Sequence, residues 1–369
     1  MPELKQKSAG RLNYVTAAKA LGICLVVVGH CVPSLPIRQW IYLFHMPLFF
    51  FLSGYCFKES AAENVGGYIG KKIKGLYLPF VTCNLIALVF HPFFCRIGLY
   101  DPADRFTSAV GFLKYLVKIL LCVKMEDVVA PMWFLPILMF VSVGFCLLTK
   151  IKISLRLPEP VIHVAVLVLY AVAYLLPSRG GLLRAYILVA LGLFVFDLGV
   201  LCRKYRLYER LSRFNREVCR YALPAACFGV LAAAASYVDF NMIQMRLGNP
   251  LLVPLLHLLG IYMTLETADA LSKAITKPVL YVGERTLTVL KWHYYVFFVV
   301  TVLQNKILTG HWLTGIHAFV LYFTQSVVFK TLLFAVYAFA GVAAPLTAKE
   351  LCGRAGRRFA ARRGIDREE

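Results

Sequence analysis

Lys19, His30 and His45 each fall inside an apolar run, where an ionisable side chain needs a reason to be. The runs make up residues 14–58, YVTAAKALGICLVVVGHCVPSLPIRQWIYLFHMPLFFFLSGYCFK, folded at a short turn around Pro33 and Pro36. Ionisable groups within membrane spans more often mark function than decoration. In an α-helix, Lys19 and His30 are three turns apart with only about 20° of drift, so both lie on one face, roughly 16 Å apart along the axis. His45 opens the second run, which the short turn places antiparallel to the first with the two histidines at similar depth. A pair of neutral imidazoles facing one cavity suits proton abstraction from a hydroxyl at physiological pH. Metal ligation would want a third ligand at a telling spacing, and the sequence offers none.

Each of these residues also has a plainer reading. Lys19 would sit about one turn inside the bilayer, where its ammonium can snorkel back to the interface. His30 can be a core histidine bonded to a neighbouring helix. Lys71, Lys72 and Lys74, in GYIGKKIKGLYLPF, are either the basic flank of a span or a dock for an anionic donor. Trp133 is either an interfacial anchor or an aromatic wall for a sugar. His257 and His293 fall mid-span, and Glu284 with Lys291 is expected to form a structural ion pair on one helix face.

The elements that must position these groups are membrane helices. Of 369 residues, 60% are hydrophobic and only 16% charged, against about half and a quarter in soluble domains. The apolar runs are about 17–25 residues long, enough to cross a bilayer core as helix and too long for barrel strands. The expected fold is all-α and polytopic, with about ten transmembrane helices at 15–32, 40–57, 77–95, 131–149, 160–176, 183–202, 219–238, 249–267, 281–304 and 316–345. The run 106–124 is interrupted by Lys114 and Lys118 and reads as an interfacial helix.

With ten spans, most of the 40 Lys and Arg gather on one side, which places both termini in the cytoplasm. That asymmetry accounts for the net charge of +21 without nucleic acid, and no basic–aromatic interleaving suggests such a partner. No small-residue cleavage site follows the first run, so it is expected to be retained. The 11 cysteines are scattered without a C-x-x-C pair, and neither disulfides nor a metal site is expected. Residues 1–14 read as a cytoplasmic N-terminus, 15–346 as the transmembrane domain and 347–369 as a basic cytoplasmic tail.

The K-x10-H spacing ending in VVVGH, followed by FHMPLFFFLSGYCF, resembles the acyltransferase-3 family of membrane O-acyltransferases, which includes fucose 4-O-acetylase-like proteins. The likeness continues through KKIKGLYLPF and MWFLPILMF, with weaker echoes in ALGLFVFDLGVL, LGNPLLVPLLHLLGI and VGERTLTVLKWHYYV, in order along nearly the whole chain. The resemblance implies a ten-helix domain that uses cytoplasmic acyl-CoA, here acetyl-CoA, to acylate a carbohydrate hydroxyl, often beyond the membrane. It implies that His30 is catalytic, with Lys19 and His45 completing the motif, and that Lys71, Lys72 and Lys74 handle the donor. Trp133 and His293 are then candidates for the acceptor pocket. The chain departs from the family pattern at Thr16, where many members carry Asp, and at Gly283-Glu284-Arg285-Thr286, where many read Gly-x-Asn-Ser. A transporter of an anionic solute or lipid-linked sugar would use the same buried charges, but the paired repeats expected of one are not evident.

Overall fold

The computed structural model describes residues 2–362 except 107, 177–180, 219–220, 314–315 and 323–325. Of the expected tail, 363–369 lie outside the described residues, as do the start of the expected span 219–238 and three residues of 316–345. The regular elements of the described chain are all helical, with one isolated antiparallel bridge between Asn241 and Arg246 among the described residues. The first half contains α1 (Pro2–Cys31), α2 (Leu35–Tyr42), α3 (His45–Tyr55), α4 (Val65–Lys72), α5 (Leu78–Arg96), α6 (Ala109–Leu120) and α7 (Phe134–Ser154). There follow α8 (Pro160–Leu175), α9 (Gly181–Lys204), α10 (Leu207–Val218), α11 (Ala222–Ala234), α12 (Leu252–Ala274), α13 (Thr276–Glu284), α14 (Thr286–Thr309) and α15 (Val327–Arg362). Among the described residues six helical segments are long and apolar enough to cross a membrane, and a seventh if the pair bent by 109° at 217–222 counts as one span.

α1 is the centre of the bundle. It packs against α3, α12, α13, α14 and α15. Ala17, Ala18 and Val27 are fully buried. The small residues of the second run do the same for α3. A Cβ on Gly54 would stand 1.9 Å from the Phe196 carbonyl oxygen, so α3 and α9 touch backbone to backbone there. Gly54→Ala is therefore expected to cost at least the roughly 1–3 kcal/mol of an overpacked core, because the obstacle is main chain and cannot rotate away. A lowered melting temperature in detergent, with a helical circular dichroism spectrum retained below it, is the check.

Two expected spans are broken and a third starts late. The run 40–57 divides at Leu43 and Phe44 into α2 and the eleven-residue α3. Pro47 is the cause. It lacks the N–H that the Leu43 carbonyl, four residues back, would accept, and His257 Nδ1–H donates to that carbonyl instead. The mid-span histidine of α12 thus closes a helix break in α3. The run 281–304 breaks at Arg285, whose backbone leaves the helical region, and the expected Glu284–Lys291 pair does not form across the break. Glu284 meets Arg285 at 3.3 Å instead, and Arg285 approaches Glu350 at 3.9 Å. The last span begins at Val327 rather than 316. The irregular backbone at 316–322 is accommodated because Thr301 donates to the Phe319 carbonyl at 2.8 Å and Tyr337 to that of Leu321 at 3.2 Å. α6, in the run read as interfacial, is only twelve residues, about 18 Å, too short to cross.

At the end of the bundle where α7, α8 and α9 meet, Lys152 bonds Glu59 and Glu159 at 2.6 Å each, and Lys204 bonds Glu159 at 2.6 Å. Glu159 lies in the connection between α7 and α8, and its hydrogen bonds from Lys152 and Lys204 hold its carboxyl down at about 2. A depressed carboxyl contributes stability above its ordinary value near 4.5, lost as pH falls toward 2. Glu159→Gln should lower the melting temperature by about 1–3 °C at neutral pH, small because the group is partly exposed. The gap between wild type and variant should close as pH drops from 4.5 to 2.

Candidate functional site: two cavities on one helix

Lys19 and His30 face different cavities at opposite ends of the same stripe of α1. The larger, of about 550 Å³, is lined by Lys19 from α1, Ser53 and Cys56 near the end of α3, and Asn64, Tyr68, Lys71 and Lys72 from α4 and its lead-in. α4 starts where Asn64 accepts from the Gly67 N–H at 2.8 Å, an N-cap that satisfies one free donor of the first turn. It ends in a π-helical turn over Ile73–Tyr77, next to Pro79, which cannot donate to the Gly75 carbonyl. Eight helical residues from that cap bring Lys71 and Lys72 into the cavity wall, with Lys72 Nζ 5.1 Å from the centre of the Tyr68 ring. Lys74 falls on the π turn and is not part of the lining. With Lys58 from the connection after α3, four ammonium groups therefore converge, with no carboxylate among the described residues of the wall, an arrangement that favours an anion.

The second cavity is a crevice of about 40 Å³ lined by Val26, His30, Tyr42, His45, Met46, Pro131, Trp133, the Phe240–Ile243 loop and Leu290. Both histidines of the first two runs, and the tryptophan that precedes α7, meet here. His45 donates its Nδ1–H to the Ile41 carbonyl at 2.9 Å, and its ring stacks on Tyr42 with centroids 5.0 Å apart. A carbonyl can only accept, so the neutral ring carries its lone pair on Nε2. His30 Nδ1 shares a hydrogen bond of 3.0 Å with the Tyr294 hydroxyl. His293 lies behind, its ring stacked on His30 at 5.7 Å. Its Nδ1–H is shared between the Val289 and Leu290 carbonyls, both at 3.0 Å, and its buried Nε2 has no partner among the described residues.

The sequence-derived candidates thus fall into two groups, Lys19, Lys71 and Lys72 around one cavity and His30, His45 and Trp133 around the other. His293 supports His30 rather than lining the crevice. Tyr294 was not among the candidates, although it directly follows His293 in the KWHYYV segment. Thr16 is occupied by structure. A Cβ on Gly283 would stand 2.1 Å from the Thr16 carbonyl oxygen, so the glycine of the altered GERT segment is where α13 abuts α1.

An all-helical bundle with spans of membrane length, an ammonium-lined cavity and a histidine-lined crevice on one buried helix belongs to the multi-pass membrane proteins that hold polar chemistry inside the bundle. Residues 12–342 match the acyltransferase-3 family, described as an acyltransferase domain, and the chain belongs to that family. It is a membrane acyltransferase. No curated protein and no solved structure matches the chain.

Proposed function

We propose that this acyltransferase moves an acetyl group from acetyl-CoA to a hydroxyl of a cell-surface or lipid-linked carbohydrate. The observation that carries the reading is the pairing of an ammonium-lined cavity at Lys19 with an imidazole-lined crevice at His30, both on α1. The chain would cross a bacterial cytoplasmic membrane ten times with both termini inside, broken and short helices included, so that Lys19 faces the cytoplasmic donor. Lys19, Lys71 and Lys72 would meet the phosphates of the CoA moiety, each as a mobile point charge, and Lys74, off the cavity wall, would not.

In the crevice His30 donates its Nδ1–H to the Tyr294 oxygen, which leaves Nε2 to take the proton of the acceptor hydroxyl. The acceptor oxygen attacks the thioester carbonyl, the C–S bond breaks, and the departing thiolate takes the proton back from the imidazolium. The products are the ester and free CoA. His45, with its lone pair fixed on Nε2 by Ile41, assists by accepting a hydrogen bond from a neighbouring hydroxyl of the sugar and so orienting it, and Trp133 offers a face for the sugar ring.

The test is transfer of label from acetyl-labelled acetyl-CoA to a panel of glycan acceptors in membrane vesicles. Labelled ester on one acceptor class supports the proposal. Uptake of a solute or lipid-linked sugar with no label transferred would replace it with transport.

A further inference from the structure

The two cavities share no lining residue, yet acyl transfer requires the thioester at one to reach the imidazoles at the other. On α1, Lys19, Gly22, Val26 and His30 follow in steps of three and four, which places them on one face. On α3, Met46, Phe49, Ser53 and Cys56 do the same. Lys19, Ser53 and Cys56 line the donor-side cavity, and Val26, His30 and Met46 line the crevice. Between the two levels the facing residues are Gly22 and Phe49. The tip of the Phe49 ring, Cζ, stands 2.9 Å from where a Cβ on Gly22 would be, so the missing side chain of Gly22 is the seat of that ring. On its other side Phe49 meets Phe134 of α7, with ring centroids 5.7 Å apart. Phe49 thus bridges α1 and α7 across the gap between the cavities. It is half-buried, whereas Leu48, Phe50, Phe51 and Leu52 around it are at most 2% exposed.

We infer that Phe49 is the partition between the donor and acceptor cavities, and that swinging its ring out of the Gly22 seat is what admits the thioester to His30. This rests on the acyl-transfer reading above and adds to it a residue that controls passage. Side-chain rotation is cheap compared with moving a backbone, and the pantetheine arm of CoA is thin enough to follow the α1–α3 face once the ring has turned. With the ring seated, the thioester is kept apart from His30, so water activated by that imidazole does not hydrolyse it when no acceptor is bound. The ring also limits the acyl group that can pass, since apolar contacts at such a point discriminate by about 10-fold or more per methylene.

The test compares Phe49→Ala and Phe49→Trp with wild type in detergent or nanodiscs. CoA binding is read by calorimetry, transfer is read with acetyl-, butyryl- and hexanoyl-CoA, and acetyl-CoA hydrolysis is read without acceptor. Phe49→Ala should bind CoA within about twofold of wild type, hydrolyse acetyl-CoA ~10-fold faster, and raise the hexanoyl-to-acetyl rate ratio by about 10-fold or more. Phe49→Trp should keep CoA binding and lose transfer by about 30-fold or more. If the alanine variant does not fold, Phe49→Leu serves with the same expected directions. Unchanged hydrolysis and acyl preference in variants that still transfer acetyl would overturn the partition and leave the acyl-transfer reading standing. Loss of CoA binding together with transfer in Phe49→Trp would also overturn it, by placing the ring in the donor cavity itself. Absence of transfer by the wild type from any acyl-CoA would defeat the acyl-transfer reading, and the partition with it.

Discussion

Replacing His30 by alanine should lower acyl transfer by about 10²–10⁴-fold, the usual worth of a general base, while leaving CoA binding and thermal stability close to wild type. The asymmetry follows from where the side chain is. His30 is in the next-to-last position of α1, a helix that packs along its length against α12 and α13, while the imidazole itself meets the rings of His293 and Tyr294 on α14. Its one directed bond is to Tyr294 at 3.0 Å. Alanine favours the helix and removes the base without touching the ammonium cavity three turns away. Radiolabel transfer, CoA titration and a melting curve on the same preparation separate the effects. Transfer that persists within about tenfold would move the base to His45, which also lines the crevice and keeps its lone pair on Nε2. His45→Ala then becomes the decisive variant. In the primary assignment His45→Ala is the milder change chemically but the more damaging structurally, because the Ile41 carbonyl loses a donor at the α2–α3 break.

How much of this was legible beforehand depends on the range of the interaction. The stripe from Lys19 to His30 is set by helical periodicity alone, and both residues do face cavities. The meeting of His30 with His45 follows from a short turn between antiparallel segments, again a local matter. By contrast, the Leu43–Phe44 break depends on a carbonyl freed by Pro47 and claimed by His257 from a helix two hundred residues later. An apolar run conceals such a bond. Pro47 alone is compatible with the first turn of a helix or with a kink inside a longer one. The same holds at Arg285, where expecting Glu284 and Lys291 on one face assumed a helix that in fact ends between them. A tyrosine in an aromatic-rich span reads as packing, so the sequence does not single out Tyr294. Only the approach of α14 to α1 makes it a partner of His30. The lysine trio shows the limit of spacing within a motif. Lys71 and Lys72 precede the π turn and Lys74 is on it, and that change of helical pitch takes Lys74 off the wall.

That difference within KKIK gives the second large prediction. Lys19→Met combined with Lys72→Met should raise the KM for acetyl-CoA by about 100-fold, roughly tenfold for each charged hydrogen bond to phosphate removed, with kcat at saturating donor reduced far less. The loss belongs to KM because these ammonium groups meet parts of the donor that do not change charge in the reaction, so they bind ground and transition states alike. Methionine preserves the apolar stem and so keeps the packing that Lys72 makes against Tyr68. Lys74→Met is the internal control. It removes the same charge from the same motif but from outside the cavity wall, and should change KM by no more than about twofold, an effect that salt screens away. If all three lysines acted only as a basic flank that orients the span, the double variant and the control would change KM equally little, and the effect would appear instead in the amount of protein inserted in the membrane. If they dock the donor, insertion stays constant and the KM separates Lys72 from Lys74. The distinction is worth making on this chain because lysine, not arginine, fills all three positions. Each contact is a single point charge without a bidentate fork, so affinity depends on several ammonium groups converging. Removing two of the four that line the cavity halves the converging charge.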